Sequence, residues 1–307
     1  MIKKFISLSP IFIFILAIIN NKIIYDGTLA GIKLILFTVI PTLFPFILIS
    51  DIMIALNTTD KISFLLNPLT HILHLSSPCG YAIITGFLCG YPIGAKSCAD
   101  LVKSGRISES EGNYMLSFVN NASPAFLSSY IAVSLLYGMI NPAYIFLVCY
   151  ASAFITALII CPFYRKASSV SAHTITGTAP ANQDSNTYFS IDKTFLSSIR
   201  TLIRISSYIL LFSILCEFLK YFSDIIPKIL LSGLFEITTG TYFISICTIP
   251  FSTKLLLIIF FTMFGGLSAM FQTYSMIFDS NLSLKWYVAG KITAALVSLP
   301  LTIIFIC

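Results

Sequence analysis

Long apolar runs separated by short polar clusters make up this chain. Neither the 3.6-residue period of an amphipathic surface helix nor the alternation of a half-buried strand organises those runs. They are continuously apolar and rich in Ile, Leu and Phe, and a helix of about 20 such residues spans the hydrocarbon core of a bilayer. The pattern predicts an all-α, polytopic membrane protein and argues against a β-barrel. Lys3 and Lys4 precede the run Phe5 to Ile19. No A-x-A cleavage pattern follows, so this run reads as a first transmembrane helix rather than a signal peptide.

A second span, Thr28 to Leu56, contains VIPTLFPFILIS. Pro41 and Pro45 each remove a backbone donor, so a helix break is predicted around Phe44 and Pro45. From Ile62 to Ala95 there is no Asp, Glu, Lys or Arg, but there are three prolines and four glycines. This predicts an interfacial helix near Ile62 to Leu75 and a re-entrant hairpin near Cys79 to Cys98 that turns at Pro92. Ser108-Glu109-Ser110-Glu111 offers capping chemistry for the next helix. Gly112 to Tyr164 is long enough for two spans, the first broken at NNASP and Pro124.

Arg165 to Asp192 is rich in Ser, Thr, Ala and Asn and reads as a flexible cytoplasmic loop. It separates a membrane half over 1–164 from one over 193–307. The second half offers spans near Ile199 to Leu219, Ile229 to Ile249 (with GLFEITTG), Lys254 to Phe278 (with GGLSAMFQ) and Trp286 to Ile306. Aligning LFPF with LFEI, and CGYPIGA with GGLSAMF, suggests a two-fold internal repeat with two glycine-rich re-entrant or discontinuous segments. Treating both glycine-rich segments as hairpins, with the N-terminus inside, places most Lys and Arg residues on the cytoplasmic side. Both hairpins then enter from the same face, which is at odds with an inverted repeat.

Composition narrows the function. Only 10% of the 307 residues are charged and 57% are hydrophobic. The net charge of +6 comes from single Lys and Arg residues between apolar runs, so nucleic acid is not an expected partner. The lipid bilayer is. The eight cysteines lie in apolar stretches without a C-x-x-C pair and read as small buried residues. His71 and His74 have no third ligand nearby, so neither a metal nor another cofactor is expected. The P-loop, G-x-S-x-G and H-E-x-x-H patterns are all missing, so no catalytic residue is assigned and the chain is not expected to be an enzyme.

Polarity gathers instead where helices break, as in transporter sites near the midplane. Gly86, Gly90 and Gly94 recur every fourth residue around Tyr91 and Pro92, with Lys96 following. They are either a packing face or an exposed backbone nest for an anion. Asn120, Asn121 and Ser123 place amides and a hydroxyl in an apolar stretch, where they require partners. Glu236, beside Thr238 and Thr239, is a carboxylate inside an apolar run: a proton carrier, a cation ligand or a partner for Lys96 or Lys291. Gly265, Gly266, Ser268 and Gln272 form a second glycine break with polar side chains after it. Asp51 and Glu217 read as interfacial.

The motifs LFPF, G-Y-P-x-G-A-K, N-N-x-S-P, G-L-F-E and G-G-L-S, in this order, resemble the YlbJ (SpoVV) family of sporulation integral membrane proteins. They also resemble the wider nucleoside-recognition, or Gate, domain group. The chain departs from the family at Ala269-Met270-Phe271-Gln272, where close relatives are expected to carry a histidine, so no proton relay is assigned there. The resemblance implies transport of dipicolinic acid across the outer forespore membrane. It makes Lys96, the Gly90 and Gly94 backbone, Asn120, Asn121 and Ser123 candidates for the carboxylates, with Tyr91 or Phe44 against the ring. Glu236 would be a gate, a coupling-proton site or the resting partner of Lys96. A nucleoside or other small-metabolite transporter and a non-transporting sporulation scaffold are the alternatives; proton or cation coupling and a homo-oligomer remain open.

Overall fold

The computed structural model describes residues 14–305 except 16, 57, 59, 60, 62, 172–190 and 220–224. Among them every regular element is helical, and four helices are long and apolar enough to cross a membrane. The protein is an all-α, multi-pass integral membrane protein. Most of the expected first span lies outside the described residues, as does 172–190 of the expected loop. The rest of that loop is shorter than expected, because the flanking helices run into it from both sides.

Backbone helix is continuous from α1 (Asn21–Leu34) through a π-helical turn (Ile35–Val39) into α2 (Ile40–Ala55). Here the sequence expectation needs correction. The helix continues through Phe44 and Pro45, and the irregularity lies upstream of Pro41. Pro41 cannot donate, and its ring presses on the carbonyl four residues back. Widening the preceding turn, with the Ile40 N–H on the Ile35 carbonyl, accommodates it. A short turn (Phe64–Leu66) and α3 (Asn67–Ile72) follow.

Next comes the predicted hairpin, α4 (Cys79–Leu88) and α5 (Ile93–Lys103). The two helices pack so closely that a methyl group on Gly94 would lie 2.9 Å from Gly86 Cα. α6 (Glu109–Leu116) starts with the anticipated capping box: Glu111 N–H donates to Ser108 Oγ at 3.2 Å, and Ser108 N–H donates to Glu111 Oε2 at 2.9 Å. The chain unwinds through Asn120 to Ser123 and resumes as a π-helix (Phe126–Leu135) before the long α7 (Pro142–Ser171).

The second half opens with α8 (Ile191–Leu219) and continues with α9 (Ile225–Phe235) and α10 (Ile237–Ile246). These last two are not a broken span. α10 folds back on α9 at Glu236, and a methyl group on Gly240 would lie 2.4 Å from Gly233 Cα. The second hairpin is therefore at LFEI. The GGLS motif is instead a break between α11 (Phe251–Phe264) and α12 (Gly266–Ile277). Gly265 and Gly266 have φ of +84° and +74°, a pair of left-handed residues that only glycines adopt without strain. α13 (Leu284–Phe305) completes the chain.

The two halves thus share one order: a long helix, a helical hairpin, a helix broken at mid-length, and a second long helix. Their packing corresponds as well. α5 lies on α6 and α12; its counterpart α10 lies on α11 and the second π-helix. The ends of the bundle are fixed by side chains. Asp51 near the end of α2 meets Ser198 near the start of α8, with Ser198 Oγ donating at 2.8 Å. At that same end Asn281, between α12 and α13, donates to Glu109 at 2.5 Å, and Tyr164 OH donates to the His74 carbonyl at 3.4 Å. At the other end the start of α1 lies against the end of α8, where a methyl group on Gly27 would be 2.7 Å from Ile214 Cα. Lys254 there donates to the Ser245 carbonyl at 2.8 Å, holding the start of α11 to the end of α10. The α4–α5 hairpin enters from the first end and the α9–α10 hairpin from the second, so the repeat is inverted.

Candidate functional site

The first hairpin turns at Gly90, whose φ is +82°, and at the cis Tyr91–Pro92 bond. Its tip rests on the unwound segment after α6. Tyr91 N–H donates to the Asn121 carbonyl at 2.7 Å, and Ala95 N–H donates to Asn120 Oδ1 at 3.3 Å. Asn120 Nδ2 reaches across to Thr273 Oγ1 on α12 at 2.7 Å, so this one amide ties the first hairpin to the broken helix of the other half. Asn121 Nδ2 donates to the Phe118 carbonyl at 2.6 Å, and Ser123 Oγ accepts Phe126 N–H at 3.2 Å. These residues satisfy the backbone groups freed where the helix opens, which the bilayer interior cannot do.

Glu236 forms the tip of the second hairpin. Its carboxylate caps α10, accepting Thr238 N–H at 3.0 Å and Thr239 N–H at 2.7 Å, with a further short bond from the Thr238 hydroxyl. Glu236 is therefore engaged by its own helix and not by Lys96. The Gly266 backbone sits against this tip, where an added methyl group would be 3.3 Å from the Leu234 and Phe235 carbonyl oxygens. In each half, then, a hairpin tip leans on the break of the helix that follows it. Tyr130 OH, from the second π-helix, donates to the Thr238 carbonyl at 2.7 Å and joins the halves again.

Between the two tips lies a cavity of about 160 Å³. Of the sequence candidates, Gly90, Tyr91, Ser123, Glu236, Ser268 and Gln272 line it. Ser129, Tyr130, Thr238 and Phe126 complete its polar and aromatic wall, and Leu34, Val39 and Leu43 close the side formed by α1 and α2. Gln272 Nε2 donates to Ser268 Oγ at 3.1 Å. No Lys or Arg is among the lining residues. Three helices, α5, α10 and α12, begin beside the space, and helix starts carry positive dipole ends.

The remaining candidates are elsewhere. Gly94 packs against Gly86 and the Val119 carbonyl. Gly265 and Gly266 form the hinge of the broken helix, Pro92 follows the tip turn, and Pro124 follows the unwound segment. Phe44 meets Phe195 edge to face at 5.7 Å instead of the cavity. Lys96 departs furthest from expectation. Its ammonium pairs with Asp51 and, at 2.9 Å, with Asp100, and it lines a separate, open cleft near the end of α2. Asp51, near the end of α2, is 7% exposed and holds Lys96 from across the bundle. The signal available in the sequence was a lone carboxylate after an unbroken apolar run. Tyr130 carried no comparable signal.

The sequence offers Lys291 as a possible partner of Glu236, and the structure does not pair them. Lys291 is 4% exposed on α13, and its ammonium lies 5.8 Å from the Tyr91 ring centre and 5.9 Å from that of Tyr287. Among the described residues no carboxylate forms an ion pair with it. The seven cysteines described are all free, six of them buried.

No family model matches the chain, and no solved structure matches it. Among curated proteins it is similar to the sporulation integral membrane protein YlbJ of Bacillus subtilis (strain 168). The two are 23% identical over 301 aligned residues, covering 87% of this chain and 74% of that protein. The relation spans both halves of the inverted repeat. Together with the ordered motifs at its hairpin tips and helix breaks, it makes the chain similar to this sporulation integral membrane protein along most of its length.

Proposed function

We propose that this sporulation membrane protein is a transporter, not an enzyme, and that it carries dipicolinate across the outer forespore membrane. The observation behind the reading is the cavity enclosed by two hairpin tips that enter from opposite ends of an inverted repeat. A site built this way opens to either side when one half of the repeat rocks against the other. Dipicolinate is a planar dicarboxylate. The wall offers it the hydroxyls of Ser123 and Ser129 and the amide of Gln272, aromatic faces from Tyr91 and Phe126, and the starts of three helices, while the Tyr130 and Thr238 hydroxyls already donate to the Thr238 carbonyl and to Glu236. Glu236 is the one carboxylate on this wall; the bonds it accepts at the start of α10 hold its charge in place without cancelling it, so a dianion has to bind clear of it, nearer the helix starts.

One observation favours a second reading. Without Lys or Arg in the wall, a neutral ring solute such as a nucleoside would meet the same amides and hydroxyls without a desolvated charge. The experiment that separates the two measures dipicolinate in mother-cell and spore fractions of a spore former lacking this gene, during synthesis of the acid. Accumulation in the mother cell with spores poor in dipicolinate, reversed by restoring the gene, is the expected result. Spores that fill normally would overturn the substrate and bring nucleosides, or a scaffold role, to the front.

A further inference from the structure

Behind the tip of the first hairpin, away from every group the proposed transport site uses except Tyr91, three polar groups converge without a partner that balances them. Lys291 on α13 has its ammonium over the rings of Tyr91 and Tyr287, at 5.8 Å and 5.9 Å. Both tyrosine hydroxyls are buried; that of Tyr91 makes no hydrogen bond, and that of Tyr287 has only the Thr273 hydroxyl close by, which already accepts from Asn120. Tyr287 is 1% exposed and Lys291 4%. The Tyr287 hydroxyl points toward the hinge of the broken helix, 3.5 Å from where a methyl group on Gly265 would be. From α7, Cys149 is the ionisable group that acts on Lys291 among the described residues.

Chemically this cluster is unbalanced in one direction. When protonated, Lys291 brings three donors and a positive charge, and each hydroxyl brings a donor. A buried unpaired charge is costly and an unmet hydroxyl adds to that cost. Cation–π contact offsets only part of it. What the site lacks is a small group that carries negative charge and accepts several hydrogen bonds at once.

We propose that Lys291, Tyr91 and Tyr287 form a binding site for one small anionic group behind the first hairpin tip. That chemistry has two sources, a free inorganic anion such as chloride or a carboxylate of the transported molecule. Tyr91 also lines the central cavity, so filling the site would hold the tip in one position. The proposal does not depend on the transport reading, because binding is measured without flux.

The test follows thermal unfolding of the purified full chain in detergent, exchanged into gluconate buffer, as sodium chloride or sodium dipicolinate is added at constant ionic strength. A ligand at about a hundredfold excess over its Kd raises Tm by roughly 5 °C or more. A rise with chloride that disappears in Lys291→Met supports a free anion at this site. A rise with dipicolinate in chloride-free buffer that disappears in Lys291→Met supports the substrate carboxylate. Tyr287→Phe, which keeps the ring and removes one donor, weakens whichever ligand binds by about tenfold; it carries the test if Lys291→Met does not fold. The proposal is overturned if neither anion shifts the wild type, or if the shift persists in Lys291→Met and Tyr287→Phe. A dipicolinate shift that persists in both variants would place that ligand in the central cavity, leaving the transport reading intact while this one fails.

Discussion

Replacing Lys96 with Met tests whether this lysine holds the fold or holds a ligand. The substitution keeps most of the side-chain volume and removes the charge. Asp51 and the Lys96 side chain are largely buried, at 6% and 14% exposure, and Asp100 is more open, at 28%. Breaking a well-buried ion pair typically costs 3–5 kcal/mol, because the remaining charge stays desolvated. Here Ser198 still donates to Asp51 at 2.8 Å and Asp100 is free to turn toward water, so about 2–3 kcal/mol is expected. Adding Asp51→Asn removes the stranded charge and should recover more than half of that loss. With Asp51→Asn alone costing about 1 kcal/mol, because Lys96 keeps Asp100, the coupling in the double-mutant cycle is about 2–3 kcal/mol. Thermal unfolding in detergent, followed by recovery of the monodisperse protein, reads the series. Loss of transport in Lys96→Met with no fall in Tm would refute the reasoning, since it would mean that Lys96 contributes to function without stabilising the bundle.

Other substitutions probe the hairpins and the break. Gly240→Ala forces its new methyl group onto the Gly233 backbone, 2.4 Å from Cα, and should cost about 1–3 kcal/mol; an unchanged Tm would mean that the α9–α10 neck is loose. Glu236→Ala removes the cap of α10 and should destabilise by about 1–2 kcal/mol, readable by the same assay, with Glu236→Gln retaining part of that contribution through its one remaining acceptor. Asn120→Ala leaves Ala95 N–H and Thr273 without their partner, a loss of about 1–3 kcal/mol, and hydrogen exchange should rise at the start of α5 and around Thr273 in the second half of α12 together. Single cysteines at Ser110 and Ser280 should react with an impermeant thiol reagent from one side of the membrane, and one at Tyr137 from the other. Reaction of all three from the same side would contradict the assignment of bundle ends.

The membrane class, the first hairpin and the break at NNASP were legible because each rests on local chemistry: unbroken apolarity, a Gly-Tyr-Pro turn, adjacent amides where a helix has no use for them. The hinge at Gly265 and Gly266 was legible as a break but not as to its kind. Paired glycines end a helix equally well in a hairpin or in a continuing span. What decides between them is whether the next helix finds a neighbour close enough to fold back on. That information sits at Gly240 and Gly233, seven residues apart across Glu236, and the eye passes over them because GLFEITTG looks like an ordinary apolar run with one acid in it. Lys96 was misread for a related reason. Its partner Asp51 lies 45 positions away, and no periodicity in either segment connects them.

Moving the second hairpin from GGLS to LFEI removes the conflict between hairpin direction and inverted symmetry. A hairpin returns the chain to the face it left, so it adds nothing to the count of crossings. Each half then crosses with its first long helix, its broken helix and its last long helix, and three is odd. A repeat with an odd number of crossings must start its second copy on the opposite side, so the second hairpin enters from the opposite face without any further requirement. With both hairpins taken at glycine-rich motifs, the segment around Glu236 became an extra crossing, and that restored the second hairpin to the first one's face. The inverted arrangement also explains why polar side chains concentrate at the breaks. Two tips advancing from opposite faces meet near mid-depth, where backbone left open by a turn has no water to bond to. Asn120, Asn121 and Glu236 close those bonds within the protein. The groups left over at the same depth, the Ser123 and Ser129 hydroxyls of the cavity wall and the Lys291 cluster behind it, are the ones available to bind a solute.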